Sequence, residues 1–154
     1  MRISIACDKA GVSYVEKCCA YFKEKGIDFN VCLPEDGSAF WFDYVDGAKT
    51  VAHEVSEGKS EFGVLICGTG IGMSIAANKV KGIRASVCSD TFSAEMTRRH
   101  NNANILCMGA RVIGEEIMLH VLDAFMQASF DGLTEDGVRH LNRVNKIIAL
   151  EEEF

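Results

Sequence analysis

The densest chemistry in the chain lies in one eight-residue run, Cys67-Gly68-Thr69-Gly70-Ile71-Gly72-Met73-Ser74. It follows an apolar stretch, 62–67, of the length and composition of a buried strand. Three alternating glycines let the backbone turn sharply and aim successive N–H groups into one concavity. With a helix amino terminus behind them, such groups bind anions. The loop therefore suits a phosphate, or a negative charge that develops during a reaction; the plainer alternative is a tight structural turn. Its Gly-x-Gly-x-Gly spacing lacks the second half of the dinucleotide fingerprint, and it lies mid-chain rather than after the first strand. A nucleotide-dependent dehydrogenase is the least fitting reading. Cys67 stands beside the concavity, where N–H groups favour a thiolate. A thiolate there can act as nucleophile or general base, and the residues alone leave both open.

Other candidates are spread along the chain. Asp8 and Lys9 follow the first strand-like run; a carboxylate there can hold the hydroxyls of a ligand, or simply cap the next turn. His100 sits in a polar cluster, Arg98-Arg99-His100-Asn101-Asn102-Ala103-Asn104. Arg111 follows the strand-like run 103–108. Arg139 and Arg143 are four apart on the last helix and share one face, as a phosphate clasp or a solvated patch. Val138, Leu141, Val144 and Ile148 form an adjacent stripe that would bury against the body or a partner. His53 and His120 lack metal-ligand spacing and read as structural or exposed.

These residues need a scaffold, and the apolar pattern supplies one. Strands are expected at 2–7, 28–33, 62–67, 83–88 and 103–108. Helices are expected at 12–25, 44–57, 73–79, 91–100, 114–128 and 135–150. The alternation predicts an α/β fold, a parallel sheet covered on both faces, with ligands beyond the carboxyl ends of its strands. Every candidate residue is expected at that edge or on a helix overhanging it. Residues 34–42 read as a loop in which Trp41 is a lid, an interface aromatic or plain packing.

Composition narrows the partners. The chain has 154 residues and one proline, which favours a single domain over 1–154 without a linker. A net charge of −6 argues against nucleic acid or an acidic membrane as general partner. No apolar run approaches the roughly 20 residues of a membrane span, and the opening residues read as a strand rather than a signal peptide. Seven cysteines without a Cys-x-x-Cys pair suggest neither zinc nor a disulfide framework, but buried small hydrophobes in a reducing, cytoplasmic compartment.

The chain resembles the type B ribose-5-phosphate isomerases and their galactose- and allose-6-phosphate isomerase relatives from about residue 2 to 148. The most specific stretch is Val64-Leu65-Ile66-Cys67-Gly68-Thr69-Gly70-Ile71-Gly72-Met73-Ser74-Ile75-Ala76-Ala77-Asn78-Lys79. Gly82-Ile83-Arg84-Ala85, His100-Asn101-Asn102-Ala103-Asn104 and Gly109-Ala110-Arg111-Val112-Ile113-Gly114 also match, and Asp43-Tyr44 stands where the family has Asp-Tyr-Pro. The resemblance implies a Rossmann-like three-layer sandwich with a five-stranded parallel sheet and an extended C-terminal helix. It implies a homodimer, with a tetramer as the alternative, and active sites at the subunit interface, the helix at 135–150 packing on the partner. It implies aldose–ketose isomerisation without metal or organic cofactor. Cys67 would move the proton between carbons 1 and 2. His100, with Asp8 and Thr69, would open the sugar ring, and the glycine loop would stabilise the enediolate. Arg111, Arg139 and Arg143 would hold the phosphate, and Lys9, Tyr44, Gly68, Gly70, Gly72 and Asn101 would complete the substrate contacts.

Two departures bear on substrate length. Lys9 replaces the histidine of the family's Asp-His-Ala-Gly, and Asp131-Gly132-Leu133-Thr134-Glu135 reads as an insertion before the last helix. Ribose 5-phosphate is the leading substrate; the alternatives are a four- or six-carbon sugar phosphate, or a binding protein that lost turnover.

Overall fold

Ile3, Ile5, Val64, Leu65, Ile66, Ile105, Leu106 and Met108 are all fully buried. Strands covered on both faces must be apolar at nearly every position, and these are the strands of the sheet centre. In the computed structural model, which describes residues 1–153, five strands form one parallel sheet. They are β1 (Arg2–Cys7), β2 (Asp28–Val31), β3 (Phe62–Cys67), β4 (Ala85–Val87) and β5 (Ile105–Gly109), ordered β2-β1-β3-β5-β4. Helices α1 (Val12–Glu24), α4 (Thr91–Asn101) and α5 (Glu115–Gln127) cover one face through Val15, Phe22, Ala94, Met118 and Phe125. Helices α2 (Tyr44–Ser56) and α3 (Ile71–Ala77) cover the other through Ala48, Val51 and Met73. The expected α/β sandwich is the fold, and α6 (Val138–Leu150) closes the chain.

Several expected boundaries move, each for a local reason. β2 ends at Val31 rather than 33: the Cys32 N–H still bonds the Ile5 carbonyl at 2.8 Å, but Pro34 then interrupts. β4 starts at Ala85 rather than 83, because the Arg84 N–H is taken by the Asn104 side chain at 2.8 Å. α6 starts at Val138 rather than 135, since two 3₁₀ turns, Asp131–Leu133 and Glu135–Gly137, occupy the approach.

The chain leaves β1 toward β2, whereas β3 lies on β1's other side, so the order reverses between β1 and β3. Cys7 and Cys67 end the two strands that flank this switch point, where open α/β sheets bind ligands. α4 runs from the carboxyl end of β4 back to the amino end of β5. α6 packs near the end of α4, and its exit is tied to the turn before β4: the Gly82 N–H donates to both Glu151 carboxylate oxygens at 3.0 Å. His140 and Val144 face its own body, while Val138, Ile147 and Ile148 are exposed. No helix among the described residues is long and apolar enough to cross a membrane.

Candidate active site

Cys67 is the last residue of β3 and is 5% exposed. The chain turns at once through Gly68, Thr69 and Gly70 into α3. Gly70 has φ +78°, a left-handed conformation that disfavours side chains, and a Cβ there would lie 3.0–3.2 Å from the Met108 backbone. This turn aims the Gly70 N–H at the Cys67 Sγ, 3.1 Å away. An N–H directed at sulfur stabilises negative charge on it. A Cβ on Gly72 would sit 2.7 Å from the Tyr44 ring, so the missing side chain lets Tyr44 lie against the loop.

Three further candidates reach the same edge. The Asp8 N–H donates to the Ile66 carbonyl at 3.2 Å, which sets Asp8 beside the end of β3. One Asp8 oxygen caps the following turn, accepting from the Ala10 N–H at 2.8 Å. Lys9, next along, is exposed. Beyond β5 the chain folds along the glycine loop: Ala110 N–H to Cys67 carbonyl, 2.8 Å, and Arg111 N–H to Gly68 carbonyl, 3.0 Å. The Arg111 side chain lies over Gly68, 3.6–3.7 Å from where a Cβ would be. Trp41 packs, with its indole N–H donating to the Cys32 carbonyl at 2.8 Å and its backbone N–H to that of Cys7 at 3.0 Å.

His100, Asn101, Arg139 and Arg143 do not share that edge, and within one chain their helices do not overhang it, contrary to the expectation that every candidate would lie at that edge or on a helix overhanging it. A helix joining adjacent parallel strands must run back across the sheet, so α4 delivers His100 and Asn101 to the amino ends of the strands. The His100 ring stacks on that of His140, centroids 4.2 Å apart and planes 5° from parallel. Arg139 Nε donates to His140 Nε2 at 3.2 Å, so the start of α6 belongs to this second edge. Arg143, one turn further along α6, adds positive charge near His140. Arg99, His100, Asp131, Thr134, Asp136, Arg139 and His140 line a cavity of about 390 Å³ there. The basic cluster is partly structural. Arg98 is buried over the Phe62 ring at 4.4 Å and donates to the Ala103 carbonyl at 2.7 Å. Arg99 is held by Asp131 and Glu95 at 3.0 Å each.

His140 was not among the expected site residues. Its signal was present: it is four residues before Val144, on the buried face of α6, an unusual place for a histidine. Burial pushes its imidazole below the usual histidine range; the positive charge of His100, Arg139 and Arg143 adds to this and Asp131 opposes it.

Cys7, Cys18, Cys32, Cys88 and Cys107 are buried and Cys19 is half-buried. Burial pushes the Cys7 thiol up to about 12, with Asp8 adding to the effect. It pushes Cys88 up to about 11, with Asp90 adding. Burial also raises Cys18, Cys19, Cys32 and Cys107. These six remain thiols at neutral pH and pack as small hydrophobes.

A glycine loop with a cysteine and an arginine stands at the switch point of a doubly wound parallel sheet, the plan of a Rossmann-like α/β protein. The chain belongs to the Ribose/Galactose Isomerase family, whose sequence model matches residues 3–147. It is 40% identical over 151 residues to ribose-5-phosphate isomerase B of Escherichia coli K12, covering 98% of this chain and 97% of that one. It is 40% identical over 135 residues to D-erythrulose-4-phosphate isomerase of Pectobacterium atrosepticum, covering 86% of each. Its fold superposes on the Clostridium thermocellum ribose-5-phosphate isomerase B structure with a TM-score of 0.91, at 38% identity and 99% coverage of both chains.

Proposed function

We propose that this protein is an aldose–ketose isomerase of sugar phosphates that interconverts ribose 5-phosphate and ribulose 5-phosphate through an enediolate. The observation that carries the reading is the Gly70 N–H directed at the Cys67 Sγ, at the switch point and beside Asp8 and Arg111. A base that must shuttle a proton next to a carbonyl needs an oxyanion site within a few ångströms, and here both come from one loop.

In the reaction the Cys67 thiolate takes the carbon-2 proton of the open-chain aldose. The carbonyl electrons move onto oxygen 1, and the glycine loop steadies the enediolate. The oxygen-2 proton moves to oxygen 1, the thiol returns its proton to carbon 1, and the carbon-2 carbonyl forms. Asp8 and Thr69 hold hydroxyls, His100 opens the ring, and Arg111, Arg139 and Arg143 grip the phosphate, with Lys9, Tyr44 and Asn101 completing the pocket.

One chain cannot assemble that set, because His100 and Arg139 lie at the other edge from Cys67. The working unit is therefore a homodimer in which each chain, a single domain, lends His100 and the α6 arginines to its partner. Exposed apolar residues at both edges support this: Val45, Ile71 and Ile75 by the glycine loop, Val138 and Ile148 on α6. Seven unpaired cysteines suit a cytoplasmic setting.

A four-carbon substrate is the second reading, favoured by the similarity to the erythrulose-4-phosphate enzyme and by Lys9. Turnover of four-, five- and six-carbon sugar phosphates by the purified protein tests both. Ribose 5-phosphate is expected to give the highest kcat/KM. Higher kcat/KM on a four-carbon phosphate would favour the second reading, and no turnover of any would reject isomerisation.

A further inference from the structure

We propose that His140 is a positioning residue that locks the His100 ring and the Arg139 side chain into one preorganised unit facing the sugar phosphate. The inference rests on the isomerase reading, since it takes His100 and Arg139 as groups that meet substrate.

His140 touches both. Its ring lies parallel to that of His100, 5° apart at 4.2 Å, so it acts as a flat platform that fixes the plane of the His100 ring. His140 is 5% exposed and fixed by the body of the domain, whereas His100 is half-buried and keeps an open edge on the cavity. The other contact runs through the His140 ring edge. Its Nε2 accepts from Arg139 Nε, which leaves the terminal guanidinium nitrogens free to hold a phosphate in two places.

An accepting Nε2 requires a neutral ring with its proton on Nδ1. The surroundings maintain that state. Arg99 and His100 face the ring from α4, Asp131 and Asp136 from the two 3₁₀ turns, and Arg139 and Arg143 from α6. Arg99 pairs with Asp131 at 3.0 Å, which blunts the pull of that carboxylate toward protonation. Two charged imidazoles face to face would repel, so a neutral His140 sets no like charge against the His100 ring.

Three substitutions separate the two contacts. His140→Phe keeps the flat ring and removes the acceptor; His140→Gln keeps an acceptor and removes the ring; His140→Ala removes both. His140→Phe should raise KM, and weaken inorganic phosphate binding, about tenfold, with kcat nearly kept. His140→Gln should lower kcat about fivefold with KM nearly kept. His140→Ala should do both. The ring-current shift on the His100 Cε1 proton should survive only in His140→Phe. Equal kcat, KM and phosphate affinity across folded variants, with only the melting temperature lowered, would reduce His140 to a packing residue and overturn the proposal. The phosphate and NMR measurements need no turnover. A wild-type protein inactive on every sugar phosphate would therefore sink the isomerase reading, while they still decide the role of His140.

Discussion

His100 and Cys67 stand at opposite ends of one parallel sheet, separated by at least the length of β5. Four residue steps of a parallel strand span about 13 Å, too far for both to touch one small sugar. If both act on the same molecule, two chains must supply them. Mixing inactive Cys67→Ala and Arg139→Ala proteins, and letting subunits exchange, should then restore activity. Half the dimers would be mixed, each with one intact site of two, giving about a quarter of wild-type activity. No recovery despite exchange shown by mass spectrometry would return the arginines to their own chain's site.

If Lys9 meets the substrate, it bears on which sugar is preferred. It is exposed on the turn beside Asp8, at the same edge as Cys67. A long cation there reaches a phosphate that an imidazole would meet only on a different chain length. Lys9→His should therefore change the ratio of kcat/KM between four- and five-carbon substrates while proton transfer persists. An unchanged substrate profile would mark Lys9 as merely solvated.

Gly70 joins backbone strain to chemistry. An alanine there would hold φ near +78° and crowd the Met108 backbone at 3.0 Å, which cannot give as a side chain end would. Gly58 has φ +73°, but a Cβ placed on it would meet nothing within 4 Å, so it isolates the conformational cost. Gly58→Ala should cost about 1 kcal/mol in urea unfolding and leave kcat alone. Gly70→Ala should cost more, about 2 kcal/mol or above, and lower kcat by moving the N–H off sulfur. Equal stability losses, or a normal kcat in Gly70→Ala, would contradict the role given to this turn.

The buried thiols make the fold sensitive to alkali. Folding raises Cys7 from an ordinary value of 9.0 to about 12 and Cys88 to about 11. Above pH 9 the unfolded chain loses these protons first, so it binds fewer than the native state and stability falls as pH rises. The contribution is complete below pH 9 and is lost progressively toward 11–12. Urea midpoints should fall between pH 8.5 and 10.5, and less steeply in Cys88→Ala. Parallel curves for the two proteins would exclude Cys88 as a source.

Much of this architecture is legible in the residues. The apolar runs 62–67 and 103–108 read as covered strands, and β3 and β5 lie there, the latter shifted to Ile105–Gly109; the spacing of Gly68, Gly70 and Gly72 announces the loop. The edge on which His100 sits is legible too, since a helix between parallel strands has to run back and the polar cluster lies where that helix ends and the next strand begins. Arg111 meeting Gly68, and His140 stacking on His100, are contacts between distant segments. Neither helical nor strand periodicity encodes them. Arg98 is illegible for a related reason: a charge over two aromatic rings is indistinguishable, in sequence, from a charge facing a ligand.

Deuterium exchange at carbon 2 in heavy water decides whether Cys67 moves the proton. Cys67→Ala removes one small side chain and no cation, so it should bind inorganic phosphate much as the wild type does. Wild-type protein should exchange the carbon-2 proton of ribose 5-phosphate, and Cys67→Ala should show neither exchange nor turnover. Near-normal exchange by a folded, phosphate-binding Cys67→Ala protein would contradict the account and move the base to Asp8 or His100.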